Sequence, residues 1–150
     1  MGHCIDFIGP FSECGCDQRY ALGLVDVHSR WLVVKFLREI TTRASIVALS
    51  EIFLEEGMPR IIISDNGTQL VSREMQSFLA NNGITHSRTS LYNPRCNGLV
   101  ERANRLVKET IQLALANNLC VKKMVTDMIW AYRTSTHPTT KCTPFENMRG

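Results

Sequence analysis

Three carboxylates in the sequence occupy positions from which they could bind a metal ion together. Asp6 interrupts the apolar residues 5–8, where a charge is costly to bury unless it is paired or binds a metal. Asp65 follows the β-branched residues 61–63, which favour a short buried strand. Glu101 belongs to a long helical pattern. Hard divalent cations prefer carboxylate oxygens, so these three residues would form a cation site if they converged.

Each carboxylate also has a purely structural interpretation. Asp65 opens an Asp-Asn-Gly sequence that is typical of turns. Glu101 and Arg105 are spaced for an i,i+4 ion pair on a solvated helix face. The sequence leaves these alternatives open until the carboxylates are shown to converge.

The helix predicted to carry Glu101 has one polar stripe. With about 100° per residue, Asn97, Arg105, Lys108 and Gln112 fall within about 40° of Glu101 around the helix axis. The two residues that follow Glu101 on this stripe are cationic. The sequence therefore predicts positive charge beside the third carboxylate.

Charge is distributed unevenly along the chain. Residues 1–85 contain seven Lys and Arg against ten Asp and Glu, a net charge of −3, whereas residues 86–150 contain ten against four, a net charge of +6. A basic half joined to an acidic half indicates a polyanionic partner and a separate cation site. No apolar run approaches the 18 residues of a membrane span.

The cysteines and the N-terminus favour an intracellular protein. Six cysteines occur without a secretory signal sequence, so we expect reduced thiols. Cys14 and Cys16 have no second ligand pair at zinc-site spacing, so no zinc site is expected.

Hydrophobic patterns predict one α/β domain. Strands are predicted at residues 3–9, 20–27, 31–37, 60–64 and 84–88. Helices are predicted at about 43–56, 71–81, 98–117 and 121–134, with turn-rich residues at 89–98 and a last turn at 144–148. This order predicts a mixed five-stranded sheet with helices on both faces, whose second and third strands form an antiparallel hairpin. Trp31 and Trp130 are expected in the core.

Five motifs in order resemble the catalytic core of retroviral and retrotransposon integrases, and Ty3/Gypsy-type elements in particular. They are "IDFIGPF", "VDVHSRW", "SDNGTQL", "NPRCNGLVERANRLVKE" and "WAYRTSTHPTTKCTPFENMRG". Thirty-five residues separate Asp65 from Glu101, which is similar to the Asp-Asp-35-Glu spacing of that family.

The resemblance implies a ribonuclease-H-like fold and a metal-dependent polynucleotidyl transferase. It would make Asp6, Asp65 and Glu101 the catalytic ligands of two Mg²⁺ or Mn²⁺ ions. The implied reactions are DNA 3′-end processing and strand transfer, which integrate DNA. No organic cofactor is implied.

The resemblance also suggests partners and a place of action. Tyr92, Asn97, Arg105 and Lys108 would contact DNA, either the element ends or the target. A homodimer or higher oligomer is expected, without a membrane partner. The protein would be made in the cytoplasm and would act in the nucleus.

Among its departures from the family, the sequence differs in one loop and in domain content. "NPRCNG" at 93–98 stands where the family commonly has His-Pro-Gln/Glu-Thr/Ser-Asn-Gly. The family's zinc-binding and C-terminal DNA-binding domains are not in the chain, so residues 1–150 are expected to be a single catalytic core domain from a longer protein. Such a core alone is expected to nick DNA or reverse strand transfer, but not to complete integration.

Two alternatives remain. The chain could be a domesticated integrase-like module that binds nucleic acid or a protein without catalysis. It could also be a ribonuclease H, an enzyme that normally uses four carboxylates. Asp26 and Glu109 are poor candidates for the fourth.

Overall fold

The computed structural model describes residues 2–65, 67–88 and 94–149, and the strands within these ranges form one mixed sheet. The strands are β1 (Gly2–Ile8), β2 (Tyr20–Asp26), β3 (Leu32–Leu37), β4 (Ile61–Ser64) and β5 (Thr85–Arg88). Their order is β3-β2-β1-β4-β5. β1, β2 and β3 are antiparallel neighbours, whereas β4 is parallel to β1 and to β5. The predicted mixed sheet and its hairpin are confirmed.

Helices cover both faces of this sheet, as predicted. They are α1 (Thr42–Glu56), α2 (Thr68–Val71), α3 (Arg73–Asn81), α4 (Pro94–Ala116), α5 (Val121–Thr134) and α6 (Pro144–Arg149). A single 3-10 turn at Cys16–Gln18 precedes β2. Among the described residues, no helix is long and apolar enough to cross a membrane.

Two helix boundaries differ from the prediction. The helix predicted at 71–81 is two helices, because Ser72 leaves the helical conformation and its hydroxyl accepts a hydrogen bond from Met75 N at 3.3 Å. This bond caps α3. α4 begins at Pro94 rather than near 98, so part of the segment predicted as turn-rich is helical. Proline suits the first helical position, where its missing N–H costs no hydrogen bond.

Successive side chains of β1 point to alternate faces of the sheet, and each face is covered by a different layer of helices. Ile5 belongs to the core cluster that contains Leu49 of α1 and Met75 of α3. Ile8 belongs to the cluster on the other face, with Val107 of α4. Because successive strand residues point to opposite faces, Asp6 lies on the same face as Ile8. The sheet therefore directs Asp6 towards α4.

The two tryptophans have different environments. Trp31 is 6% exposed, as predicted for a core residue. The same prediction is wrong for Trp130, which is 58% exposed. α5 packs through Val121 and Val125, and Trp130 lies about 180° around the helix from Val121.

One disulfide contradicts the expectation that all thiols are reduced. Cys4 on β1 and Cys96 in the first turns of α4 are bonded, with Cα atoms 6.0 Å apart, a separation that suits a disulfide. The two cysteines are 92 positions apart, so no local sequence pattern indicates that they pair. Four other cysteines are free in the described chain: Cys14, Cys16, Cys120 and Cys142.

Candidate active site

Asp6 is the most deeply placed of the three carboxylates. Its Oδ1 accepts a hydrogen bond from Phe7 N at 2.9 Å, and its Oδ2 accepts one from Asn104 Nδ2 at 2.8 Å. Burial raises the pKa of Asp6 above its ordinary value, the two hydrogen bonds oppose that shift, and the negative charge of Asp65 raises the pKa further. Burial thus contributes more to this shift than the repulsion between neighbouring carboxylates.

Asp65 reaches the same edge of the sheet from β4. Cys4 pairs with Ile63 in the parallel register of β1 and β4. Two residues further along each strand, Asp6 and Asp65 therefore fall at the same level on neighbouring strands. Asp65 Oδ1 also accepts a hydrogen bond from Gly67 N at 3.0 Å. This hydrogen bond is the predicted turn interaction. Asp65 therefore stabilises the turn and also lies beside Asp6 on the neighbouring strand.

Glu101 completes the group from α4. One pocket of about 190 Å³ is lined by Ile5, Asp6, Ile63, Ser64, Asp65, Asn97, Val100 and Glu101. Glu101 is exposed, and among the described residues its carboxylate forms no ion pair, including the i,i+4 pair with Arg105. The structure therefore brings the three predicted carboxylates and Asn97 to one pocket, although their catalytic roles stay a prediction.

The pocket's donor set suits a divalent cation. Its three carboxylates are hard oxygen ligands of the kind that Mg²⁺ and Mn²⁺ prefer. Within residues 2–65, 67–88 and 94–149, no three His, Cys, Asp or Glu side chains already form a compact metal centre. Asp65 and Glu101 are exposed, so their oxygens can be approached from solvent.

Asn104 is a site residue that the sequence reasoning missed. It lies about 60° from Glu101 around α4, just outside the predicted stripe, and turns towards the sheet. Its hydrogen bond joins two residues that are 98 positions apart. The sequence feature that could have indicated Asn104 is an amide side chain one turn after Val100, on the side of the helix that faces β1.

Replacing Asn104 with Ala should weaken the use of the cation. Its amide fixes the Asp6 carboxylate, and the loss of such a supporting hydrogen bond typically costs about 10–100-fold in metal affinity or activity. We expect a higher Mn²⁺ concentration for half-maximal DNA nicking. Asn117→Ala is the matched control, because Asn117 is exposed and its side chain bonds to Leu113 O. Equal behaviour of the two variants would contradict a positioning role for Asn104.

A second polar network supports the backbone at Asp65. Gln76 Nε2 donates to His86 Nδ1 at 2.8 Å, so His86 Nε2 carries the hydrogen and donates to Ser64 Oγ at 2.6 Å. Ser64 Oγ in turn donates to Asp65 O at 3.0 Å. Burial, followed by the charge of Arg88, lowers the pKa of His86, which favours the neutral ring. This chain of bonds ties the ends of β4 and β5 together where Asp65 begins.

The predicted DNA-contact residues that the structure describes line three different openings. Asn97 lines the carboxylate pocket. Lys108 lies close enough for its charge to lower the pKa of Asp6, and it also lines a groove with Phe11. Arg105 lines a different groove, between α4 and α5. Tyr92 lies outside the described residues.

Neither candidate for a fourth carboxylate belongs to the pocket. Asp26 accepts hydrogen bonds from Ser29 N at 2.9 Å and from Ser29 Oγ at 2.6 Å, and it is buried in the β2–β3 turn. Glu109 lines the groove between α4 and α5. Among the described residues, the pocket is lined by three carboxylates, which does not favour the ribonuclease H alternative.

Solved structures of retroviral integrases share this fold. The HTLV-2 integrase catalytic core domain in complex with magnesium, in its dimeric form, matches 98% of this chain and 94% of its own, with a TM-score of 0.77 and 22% identity. A chain of the simian T-cell lymphotropic virus intasome in complex with PP2A regulatory subunit B56 gamma has a TM-score of 0.83 and 21% identity. That match covers 99% of this chain and 54% of the other. The architecture is ribonuclease-H-like, as predicted.

Sequence comparison assigns the family. The integrase core domain model matches residues 3–94, and the chain belongs to this family. An uncharacterized protein of Caenorhabditis elegans is 35% identical over 133 residues, which is 89% of this chain and 10% of that protein. The Gag-Pol polyprotein of baboon endogenous virus is 41% identical over 96 residues, 62% of this chain and 5% of the polyprotein. The chain thus spans a tenth or less of these two relatives.

Proposed function

We propose that this chain is the catalytic core of a retroelement integrase, which performs DNA 3′-end processing and strand transfer. The observation that carries the proposal is the single pocket lined by Asp6 from β1, Asp65 from the end of β4 and Glu101 from α4. Three separate elements deliver carboxylates to one opening, which a solvated helix face or an isolated turn would not require. The chain's membership of the integrase core domain family supports this proposal.

The three carboxylates would hold two Mg²⁺ or Mn²⁺ ions. Such a pair of ions supplies activation of an attacking water or 3′-hydroxyl and stabilisation of the leaving oxygen. Asp6 is oriented by Phe7 N and by Asn104. Asp65 is held by its bond from Gly67 N. Glu101, exposed on α4, faces the side from which DNA would enter.

Similar proteins support the proposed cofactor and assembly. The HTLV-2 core was solved with magnesium in dimeric and trimeric forms, and we extend the divalent cation and a homo-oligomeric state to this chain. The proposed partners are element ends and target DNA, and the nucleus is the proposed place of action.

A nicking and strand-transfer assay on a DNA oligonucleotide with Mn²⁺ tests the function. Cation-dependent cleavage that chelation abolishes is the expected result. Binding of DNA without any turnover, in the presence of either cation, would instead favour the non-catalytic module.

Replacing both Arg105 and Lys108 with Ala should weaken DNA binding. The two cations line separate grooves beside the carboxylate pocket, so each is expected to contact a different phosphate. Each phosphate contact contributes about −0.9 to the slope of log K against log salt, and the double variant should flatten this slope by roughly one to two units. Fluorescence anisotropy with duplex DNA at several salt concentrations measures it.

The matched control for this pair is Lys123→Ala, which removes an exposed cation of α5 that is paired with Asp127 at 2.8 Å. It should leave the slope close to that of the unmodified protein. An unchanged slope in the Arg105 and Lys108 variant would make the stripe an ordinary solvated helix face.

A further inference from the structure

A second pocket, separate from the carboxylates, is strongly basic. It has a volume of about 200 Å³ and lies beside the start of α4, where Arg30, Arg95, Arg102 and His137 line it. The remaining lining residues that the structure describes are Gly98, Leu99 and Thr139, so none of them is acidic. Three guanidinium groups around one small opening repel one another unless an anion lies between them.

Arg30 is the residue that makes this pocket unusual. It lies in the turn between β2 and β3 with φ of 67°, and it is 3% exposed. Its Nε and Nη1 atoms are buried without a hydrogen-bond partner. A buried donor without a partner destabilises the folded state, and more so when it carries a charge. An anion in the pocket would offset this cost through its opposite charge.

The neighbours of Arg30 do not neutralise it. Burial lowers the pKa of Arg30, and the charge of Arg95 lowers it further, whereas Tyr132 and Asp26 oppose the shift. The Asp26 carboxylate accepts its hydrogen bonds from Ser29 rather than from Arg30. Arg30 therefore lines the pocket as a cation that forms no ion pair with any described carboxylate.

His137 adds a neutral donor to the same pocket. Its Nδ1 accepts a hydrogen bond from Thr139 N at 3.2 Å, so the neutral ring carries its hydrogen on Nε2. Burial lowers the pKa of His137, and the charges of Arg30 and Arg102 lower it further. The ring can therefore donate to an anion without accepting a proton.

We propose that this pocket binds one backbone phosphate of a nucleic acid, held by Arg30 and Arg102. Guanidinium groups suit phosphate because their N–H donors match two oxygens at once. Arg102 follows Glu101 directly on α4, about 100° around the helix axis. A strand bound at the carboxylate pocket would continue around α4 onto Arg102. This inference rests on the proposed function, because it assigns the pocket to the same DNA.

DNA binding by variants of the two arginines tests the proposal. Arg30→Met keeps the buried aliphatic stem and removes the charge, and Arg102→Gln changes an exposed helix residue. Each should flatten the slope of log K against log salt by about one unit. The double variant should flatten it no further than either single variant, because both arginines contact the same phosphate. Arg43→Gln removes an exposed cation of α1 and should leave the slope unchanged.

Inorganic phosphate distinguishes a nucleic-acid site from a site for a free anion. Millimolar phosphate should raise the thermal midpoint of the unmodified protein but not that of Arg102→Gln. Phosphate could stabilise the unmodified protein while its slope of log K against log salt for DNA equals that of Arg102→Gln. In that case the pocket binds a free anion, and the nucleic-acid assignment is overturned. Unchanged slopes in both single variants, or additive effects in the double variant, would overturn the shared phosphate contact.

Folding and turnover are measured separately. Without added anion, Arg30→Met should melt at the same temperature as the unmodified protein or higher, because an unpaired buried charge is removed. A lowered midpoint together with an unchanged slope in Arg102→Gln would show that the cluster is structural. Absence of Mn²⁺-dependent turnover with the slope changes intact would refute the proposed catalysis while leaving the phosphate site standing.

Discussion

Asp65→Asn should reduce Mn²⁺-dependent cleavage and strand transfer on DNA by about 10²–10⁴-fold. A bound cation is worth several kcal/mol of transition-state stabilisation, and each 1.36 kcal/mol changes the rate tenfold. Asparagine has almost the same shape as aspartate and keeps an oxygen for the hydrogen bond from Gly67 N. The variant should therefore lose chemistry but retain its fold and the salt dependence of DNA binding. Single-turnover rates measure the loss of chemistry, and circular dichroism measures retention of the fold.

Asp127→Asn is the matched control, because it makes the same chemical change at an exposed position of α5. Its turnover should equal that of the unmodified protein. Asp6→Asn should behave like Asp65→Asn. Retention of full turnover in Asp6→Asn or Asp65→Asn would contradict the proposed catalytic role of the pocket.

The stability of Asp6→Asn follows from the pKa of Asp6, which burial raises above its ordinary value of 3.8. A raised pKa means that the folded protein holds this proton more tightly than the unfolded chain does. The stabilisation from this bound proton is fully present below the pKa that Asp6 has in the unfolded chain. It is lost as the pH rises through the pKa that Asp6 has in the folded protein. At neutral pH and without metal, Asp6→Asn should be as stable as the unmodified protein or more stable. Urea unfolding at pH 3 and pH 7 checks this.

Reduction of the disulfide between Cys4 and Cys96 should lower the free energy of unfolding by about 4.6 kcal/mol. The bond spans 92 residues, and cross-linking a loop of that order removes roughly this much conformational freedom from the unfolded chain. Urea unfolding with and without dithiothreitol measures the difference. Cys4→Ser should unfold like the reduced protein under both conditions.

The effect should also reach the candidate active site. Cys4 precedes Asp6 by two residues, and Cys96 is adjacent to Asn97 on α4. Reduction should increase hydrogen exchange in the first turns of α4, and Cys120→Ser, which changes an exposed free cysteine, should not. Identical unfolding of the oxidised and reduced protein would show that packing alone holds this end of the helix.

Local sequence determined the elements and the candidates for chemistry. Strands and helices follow from apolar patterns whose period is set by neighbouring residues, so the hairpin of β2 and β3 was predictable. Asp6, Asp65 and Glu101 could be named because they lie in recognisable motifs at a characteristic spacing. Glu101 lies on the exposed face of α4, as helical geometry predicts.

Tertiary structure decided which of these residues meet and which partners they find. The bond from Asn104 to Asp6 joins residues 98 positions apart, and the disulfide joins residues 92 positions apart. Packing of α4 on the sheet creates both contacts, and no local pattern encodes that packing. The same packing places Arg105 and Lys108 at different grooves and buries Arg30 in a pocket that Arg102 also lines. A single sequence shows which side chains could do chemistry, but the distance between them depends on how the helices lie on the sheet.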